Sequence, residues 1–598
     1  MRLSRIRVEN FRNFSNLDIA VSGNVVVVGE NRVGKSNLLY GLRLLVDPTL
    51  PDSSRELVLA DFWEGLPARD AETKIVIFVE ITGFEDDLDV LALLTDYRLA
   101  ADPHRARLTY EFRPKAGLDH LPQTDDDYEF VCFGGEDEAR RFGHELRRRL
   151  TIDLLPALRD AEGDLSNWRR SPLRPLIEDA ARGLDAEALA DISQRIGEAT
   201  AGLIEFEQMR ALEELIGRQF VGMSGERQDV RPRLGFNPTD PARLYRSIRL
   251  LIDEGRRGIA DASLGSANLV FLSLKALEIR RQIEENRRDH TILAIEEPEA
   301  HLHPHLQRSV YRHLFESVEP VGDDPPPPIS LLMTTHSPHI ASVAPLRSIV
   351  LLKDNGEDGT VGQSAAAISL TDGETADLQR YLDVTRAEIL FARGVVLVEG
   401  DAERFLLPVF ARSMGRELDH LGISICSVGG THFLPYAKFL AGLGIPFSIV
   451  TDWDPQGGGS SLGKRRIAEV LRAVEAIRAG AVSRGFDAAL AAEDAPFRET
   501  AATRGCFLND YTLEIDLFLE EFHGPITETL LEAGFGAARQ QRIRGWGDDP
   551  RALDRASLIA LIDEIGKGRF AQRLAAKIAG MEPPAYIRRA IDYVVDRA

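Results

Sequence analysis

Four consecutive valines, Val25–Val28, run directly into Gly29-Glu-Asn-Arg-Val-Gly34-Lys35-Ser36, and NLLYGLRLL follows. No other stretch restricts the fold of this chain so tightly. An unbroken β-branched run predicts a strand buried on both faces. The leucine-rich segment after it predicts a helix. The loop between them has the spacing G-x-x-x-x-G-K-[ST]. Backbone N–H groups of such a loop and of the helix N-terminus point the same way and attract phosphate. Gly29 and Gly34 permit the tight backbone, Lys35 reaches the outer phosphates, and the Ser36 hydroxyl holds Mg²⁺. Asn31 and Asn37 complete the expected ATP-binding set.

Charge and cysteine content remove several alternatives. The chain of 598 residues is long enough for more than one domain, and its net charge of −22 comes from 94 acidic and 72 basic residues. That balance excludes a protein that coats nucleic acid by global charge. DNA binding then needs local basic patches or metal-mediated contact. Three cysteines, Cys132, Cys426 and Cys506, lie far apart without a C-x-x-C, which excludes a disulfide framework and a zinc ribbon. The start, MRLSRIRVENF, has no apolar signal-peptide core, and no apolar run is long enough to cross a membrane. Cytoplasmic residence without a membrane partner is the expectation.

Residues 2–28 read as strands by their alternation, and Lys74–Ile81 and Arg107–Phe112 read as two more. Residues 136–220 read as helices. Within them Arg140, Arg141, Arg147, Arg148, Arg149, Arg169, Arg170 and Arg174 form the most basic region, read first as solvated faces paired with glutamates. Further on, TILAI delivers Glu296 and Glu297. Glu296 is placed to anchor the Mg²⁺ shell and Glu297 to polarise the attacking water. Pro325–Pro328 is a rigid loop, and ISLLMTT presents His336, expected at the terminal phosphate. The spacing of His301, His303 and His305 suits neither a helical pair nor a finger, so they read as a subunit-contact loop.

The order of phosphate loop, Ser263-Leu-Gly265-Ser266 segment, acidic strand end and histidine strand end resembles the ABC ATPase superfamily. IRVENFRNF with GENRVGKSNLL is most similar to its RecF- and SMC-type branch. Ser263, Gly265 and Ser266 then correspond to the signature loop, here poorer in glycine, and the acidic pair is Glu-Glu instead of Asp-Glu.

A second unit begins near GVVLVE. It ends in Glu399, with Asp401 expected to cap the following helix and Glu403 one turn into it. The strand PFSIVTDWD ends in Asp452 and Asp454, which period-two geometry places on one face. Carboxylates gathered at strand ends repel unless a cation lies between them, and Mg²⁺ or Mn²⁺ suits oxygen ligands. Strand-EGxxE followed by strand-DxD resembles the Toprim domain of topoisomerases, primases and some nucleases. Gly458–Lys464 also spells G-x-x-x-x-G-K, but Arg465 stands where a Ser or Thr is needed, so it reads as a flexible glycine loop. Asn509–Leu517 offers Glu514 and Asp516, and IGKGRFA offers Lys567; on the residues alone, Glu514 on a second metal with Lys567 on the phosphate, and a solvent-facing strand glutamate with an ordinary helix-start lysine, are equally good readings.

The two halves together resemble the OLD (overcoming lysogenization defect) family of nucleases, on GENRVGKSN, PALRDAEGDLS, EEPEAHLHP, TTHSP, LVEGDAERFLLP, TDWD, TLEIDL and KGRFA. That resemblance implies an α/β architecture. An ABC-type (RecF/SMC-like) ATPase occupies residues 1–150 and 256–370, with a helical dimerisation insertion at 151–255. A linker helix at 371–392 leads to a Toprim domain with a parallel central sheet and helical additions at 393–598. It implies Glu399, Glu403, Asp452, Asp454 and Glu514 as ligands of two Mg²⁺ or Mn²⁺ ions, and Lys567 as a phosphate contact. It turns the basic helical segment into a partly buried interface. The implied activity is metal-dependent nicking or cleavage of DNA by an ATP-binding protein of anti-phage type. One phosphate loop and one signature-like loop per chain imply a homodimer or larger assembly, with a neighbour-encoded helicase-like partner left open. A non-cleaving ATP-driven DNA clamp is the alternative. It sits poorly with a full set of clustered acids. A topoisomerase needs a tyrosine nucleophile domain, and a primase commonly a zinc module; neither is identifiable.

Overall fold

The computed structural model describes residues 1–66, 69–157, 160–183, 185–224, 232–234, 246, 248–319, 327–456 and 461–598. Residues 158–159 of the basic segment, 325–326 of the proline run and 458–460 of the second G-x-x-x-x-G-K lie outside the described residues. The chain divides into two units, one of Met1–Ala157, Asp289–Glu299 and His303–Ala598, the other of Leu158–Arg288 and Ala300–Leu302.

Three sheets build the first unit. The five-stranded sheet has the order β2-β1-β4-β5-β6 and is antiparallel throughout, from β1 (Arg2–Phe11), β2 (Phe14–Ala20), β4 (Ile75–Thr82), β5 (Arg105–Pro114) and β6 (Tyr128–Gly134). In β1 the residues Leu3, Ile6, Val8 and Phe11 are buried while the arginines between them are not, the pattern of a sheet with one face on the core. The six-stranded sheet runs β13-β12-β3-β11-β10-β7. Its members are β3 (Val25–Val28), β7 (Leu150–Leu155), β10 (His290–Glu296), β11 (Ile329–Thr334), β12 (Ile349–Asp354) and β13 (Thr360–Ser364). All its pairings are parallel except β12 with β13. Val25–Val28 are fully buried, as an unbroken valine run requires of a central strand. The helix Lys35–Val46 follows β3 and buries Leu38, Leu39, Leu42 and Leu45.

The stretch expected to be helical from residue 136 is different. Before residue 156 only His144–Arg149 is helix, and Leu150–Leu155 is strand β7, paired with β10; helices Ala161–Ser166, Leu173–Arg182, Ala186–Ile204 and Glu207–Ser224 follow as expected. The helical insertion therefore begins beyond β7, not at residue 151. Arginines in this stretch serve the fold: Arg147 is buried and donates to the Leu45 carbonyl at 2.9 Å, and Arg149 pairs with Asp289 at 2.6 Å.

The third sheet has the order β15-β14-β16-β17 and is wholly parallel, from β14 (Gly394–Val398), β15 (Ile423–Ser427), β16 (Phe447–Thr451) and β17 (Cys506–Leu508). Helices Asp401–Ser413, Lys567–Ala575 and Ala585–Val595 share one apolar core with β14 and β16. Such a sheet presents its chemistry at the carboxyl ends of its strands.

The second unit contains the helices Ala186–Ile204, Glu207–Ser224 and Leu264–Glu284 and a short hairpin of β8 (Leu251–Ile252) and β9 (Arg257–Gly258). Its core is small, built on Leu165, Ile259 and Leu274. Leu203, Leu212 and Leu215 stay exposed on the first two of these helices, and Phe206 between them.

Candidate active site

The phosphate loop has the geometry its glycines require. Gly34 has φ 91°, and a Cβ on it would sit 3.0 Å from Asn13 and Phe14. Gly29 passes so close to the Leu352 carbonyl that no side chain fits. Lys35 is buried and its Nζ donates to the Gly29 and Glu30 carbonyls at 2.9 and 2.7 Å. Burial pulls its ammonium down to about 8, against the pull of Glu297 and Glu299. Ser36 and Asn31 are exposed. Asn37 is not turned to the loop: it accepts from Arg12 at 2.8 Å and donates to Asn13 at 2.5 Å, tying the helix to the β1–β2 turn.

Glu296 is the last residue of β10 and lies beside Thr334 of β11. Glu297 has φ 42° and donates its N–H to the Thr334 carbonyl at 2.9 Å. His336 is lowered below its ordinary value by burial and then by Lys35. Sequence reasoning missed Glu299, whose carboxylate accepts from the His336 N–H at 2.7 Å and the Thr335 hydroxyl at 2.8 Å. It fixes the histidine strand end, and the third acid of EEPEA was its only signal. His303 and His305 stack at 5.6 Å, and Arg308 donates to His305 and His339. In the second unit, Ser263 caps the helix Leu264–Glu284 by accepting from the Ser266 N–H at 3.2 Å, and a Cβ on Gly265 would meet the His301 carbonyl.

At the carboxyl ends of the parallel sheet the acids converge. Glu399 follows β14 and accepts from the Thr451 hydroxyl at 2.5 Å and the Asp452 N–H at 3.0 Å. Glu403 is buried and accepts from the Gly400 N–H at 3.2 Å. Gly400 is the cap residue, so the capping expected of Asp401 falls to Glu403 reaching back. Asp452 accepts from Asn509 Nδ2 at 2.5 Å and the Leu513 N–H at 3.1 Å. Burial first, then Glu399, Glu403 and Glu514, push Asp452 up to about 8, with Asn509 opposing. Burial, with Glu514 and Glu399 adding to it, pushes Glu403 up to about 7. Glu514 lies in the helix Leu513–Leu519 at 3 % exposure, so a solvent-facing strand residue is excluded. Lys567 opens its helix and reaches Glu514 at 3.3 Å. Burial opposes its charge, but Glu514 carries its ammonium above the ordinary value.

Asp454 departs from the expected arrangement. β16 ends at Thr451, and Asp454 has φ 51°, so the chain turns before period-two geometry applies. Its carboxylate pairs with Arg466 at 2.9 Å, and Arg466 also reaches Glu399 at 2.9 Å and the Thr451 hydroxyl at 2.6 Å. Arg466 lies in the helix Leu462–Ala479, beyond the second G-x-x-x-x-G-K. There Lys464 is spent on Asp494 and the Ala492 carbonyl, and Gly463 lets the helix start press on the Asp452–Trp453 backbone. Arg466 and Asn509 were not legible as site residues. Asn509 closes the strand CFLND just as Glu399 closes β14, which was its available signal.

Residues 390–454 match a family model described as Overcoming lysogenization defect protein-like, TOPRIM domain. Residues 1–150 and 184–341, just over half of the chain, match the AAA ATPase domain model. The OLD nuclease of Thermus scotoductus is 25 % identical over 470 residues, 76 % of this chain and 82 % of that one. The chain belongs to the OLD family of nucleases. Endonuclease GajA of Bacillus cereus is 22 % identical over 79 % of this chain and 78 % of its own. The C-terminal region of the Burkholderia pseudomallei OLD protein is 40 % identical over 35 % of this chain and 100 % of that one, with a TM-score of 0.32. OLD-family membership brings nucleotide and divalent-metal use in general.

Among the described residues, no three His, Cys, Asp or Glu side chains stand as a ready-made site. The donor set of this OLD-family chain nevertheless fits a hard cation. It is all carboxylate oxygen, the Glu514 Oε2 atom is buried without a hydrogen-bond partner, and burial with the facing carboxylates raises Asp452 and Glu403, a repulsion that a cation relieves. One further contact joins the two halves of the first unit. Glu30 of the phosphate loop pairs with Arg393, the residue before β14, at 2.7 and 3.0 Å.

Proposed function

We propose that this chain is an ATP-binding, metal-dependent DNA endonuclease with a part in anti-phage defence. The observation that carries the reading is the gathering of Glu399, Glu403, Asp452 and Glu514 at one sheet end, with a buried carboxylate oxygen left unpartnered. Glu399, Glu403, Asp452, Asp454 and Glu514 hold two Mg²⁺ or Mn²⁺ ions. Bound there, such ions supply a water of lowered pKa and charge stabilisation for the leaving oxygen. Lys567 contacts the phosphate, Asn509 orients Asp452, and the buried wall excludes bulk water. At the other site Gly29, Asn31, Gly34, Lys35 and Ser36 bind ATP with one Mg²⁺. Asn37 secures the loop from behind. Glu296, Glu297 and His336 stand at the hydrolysis position.

ATP acts as a regulator in this reading. The active form is a homodimer in which Ser263, Gly265 and Ser266 of one subunit complete the ATP site of the other. The exposed apolar residues of the helices Ala186–Ile204 and Glu207–Ser224 favour burial against a second copy. Supercoiled plasmid with Mn²⁺ tests the assignment. Asp452→Ala is expected to lower nicking by about 10³-fold or more, and Lys35→Ala to keep nicking while losing its response to ATP. Undiminished cutting by Asp452→Ala overturns the nuclease site.

A further inference from the structure

Arg466 is the only cationic side chain seen bridging two of the acids assigned to the metal centre among the described residues. Its Nη1 donates to Glu399 Oε1 at 2.9 Å and to Thr451 Oγ1 at 2.6 Å, and its Nη2 donates to Asp454 Oδ2 at 2.9 Å. The Arg466 side chain is 15 % exposed, that of Glu399 19 % and that of Asp454 28 %, so the three side chains are largely out of water. The fork is also pinned from behind. The helix Leu462–Ala479 is seated on the acidic loop by Ser461, whose hydroxyl and whose helix neighbour Gly463 both donate to the Trp453 carbonyl. A planar, permanently charged fork in that position does for Glu399 and Asp454 what a divalent cation does: it neutralises them and sets their spacing.

We infer that Arg466 is a resident counter-charge of the metal centre, a positioning residue that keeps Glu399 and Asp454 aligned in the metal-free protein and swings out when a divalent cation enters between them. The inference rests on the proposed metal-dependent reading of this site. Arg466 takes Glu399 Oε1 and Asp454 Oδ2, and a cation that uses those two oxygens must displace it. Metal uptake is therefore an exchange of one cation for another, and the apparent affinity is set by the difference between them. The arrangement prevents the acid cluster from repelling itself open, at the cost of weaker metal binding.

The test is Mn²⁺ binding to the full chain, by calorimetry and by the EPR signal of free Mn²⁺, in wild type, Arg466→Gln and Arg466→Lys. Arg466→Gln is expected to bind Mn²⁺ about tenfold more tightly than wild type, since charged hydrogen bonds no longer have to be given up. Arg466→Lys, which keeps the charge and loses the fork, falls between them. Metal-free Arg466→Gln is expected to melt below wild type, with the difference closing when Mn²⁺ is added. Anomalous scattering from Mn²⁺-soaked crystals gives the second readout. Metal between Glu399 and Asp454 with Arg466 turned away supports the exchange, and metal there with Arg466 still bridging both acids overturns it. Wild type that binds Mn²⁺ while Arg466→Gln binds it equally or more weakly overturns the counter-charge role alone. Wild type that takes up no Mn²⁺ overturns the metal-centre reading, and this inference with it.

Discussion

Two single positions carry consequences that their neighbours do not. A Cβ on Gly463 would collide with the Asp452 carbonyl and lie 2.9 Å from that of Trp453. Gly463→Ala must push the helix Leu462–Ala479 off the acidic loop. The expected cost is about 1–3 kcal/mol, as for other overpacked sites, read by denaturant unfolding, with a parallel fall in nicking. Gly485→Ala, where a Cβ meets nothing within 4 Å, serves as the comparison. His290 is the other case. It opens β10 at 2 % exposure, with Nε2 paired to Ser330 at 2.9 Å and Nδ1 unpartnered. Burial pulls its imidazole down to about 3. The folded value lies below the unfolded one of about 6.5, so this stability is present above pH 6.5 and is lost as pH falls toward the folded value. Unfolding midpoints at pH 7.5 and pH 5 are expected to differ more for wild type than for His290→Leu; equal slopes would remove His290 as the source.

Elements were legible where one local rule sufficed. The valine run, the phosphate loop, EGxxE on β14 and the DxD after β16 were each readable from their own few residues, because buried parallel strands and glycine turns leave local signatures. Features built from residues distant in sequence were not. Arg466 reaches Glu399 across 67 positions, and Asn509 reaches Asp452 across 57. β7 is strand because β10, far along the chain, pairs with it; arginines around it looked like a helix face. Glu514 stayed undecided between a surface strand and the site because TLEIDL alternates like a strand, yet it packs as a helix that buries Glu514 and Asp516 together. The exposed apolar helices carry their own expectation. Leu212→Glu with Leu215→Glu should convert the proposed homodimer to monomer in light scattering while leaving helicity intact; an unchanged mass would overturn this subunit contact.

At the largest scale, a charge pair links the phosphate loop to the residue before β14 of the Toprim sheet. Glu30 and Arg393 are 47 % and 55 % exposed as side chains, so screening limits their contribution to about 0–1 kcal/mol. Glu30→Arg is expected to disturb thermal unfolding more than the double exchange Glu30→Arg with Arg393→Glu, and the difference to vanish near 1 M salt. Such a pair also acts on descent. Glu30 sits inside a nucleotide motif and Arg393 at the start of the half that bears the nuclease acids, 363 positions apart. Neither charge can reverse alone without setting like charges face to face. Recombination that grafts one half onto a foreign partner inherits only one side of the match, so working chimeras should be those that carry both positions together.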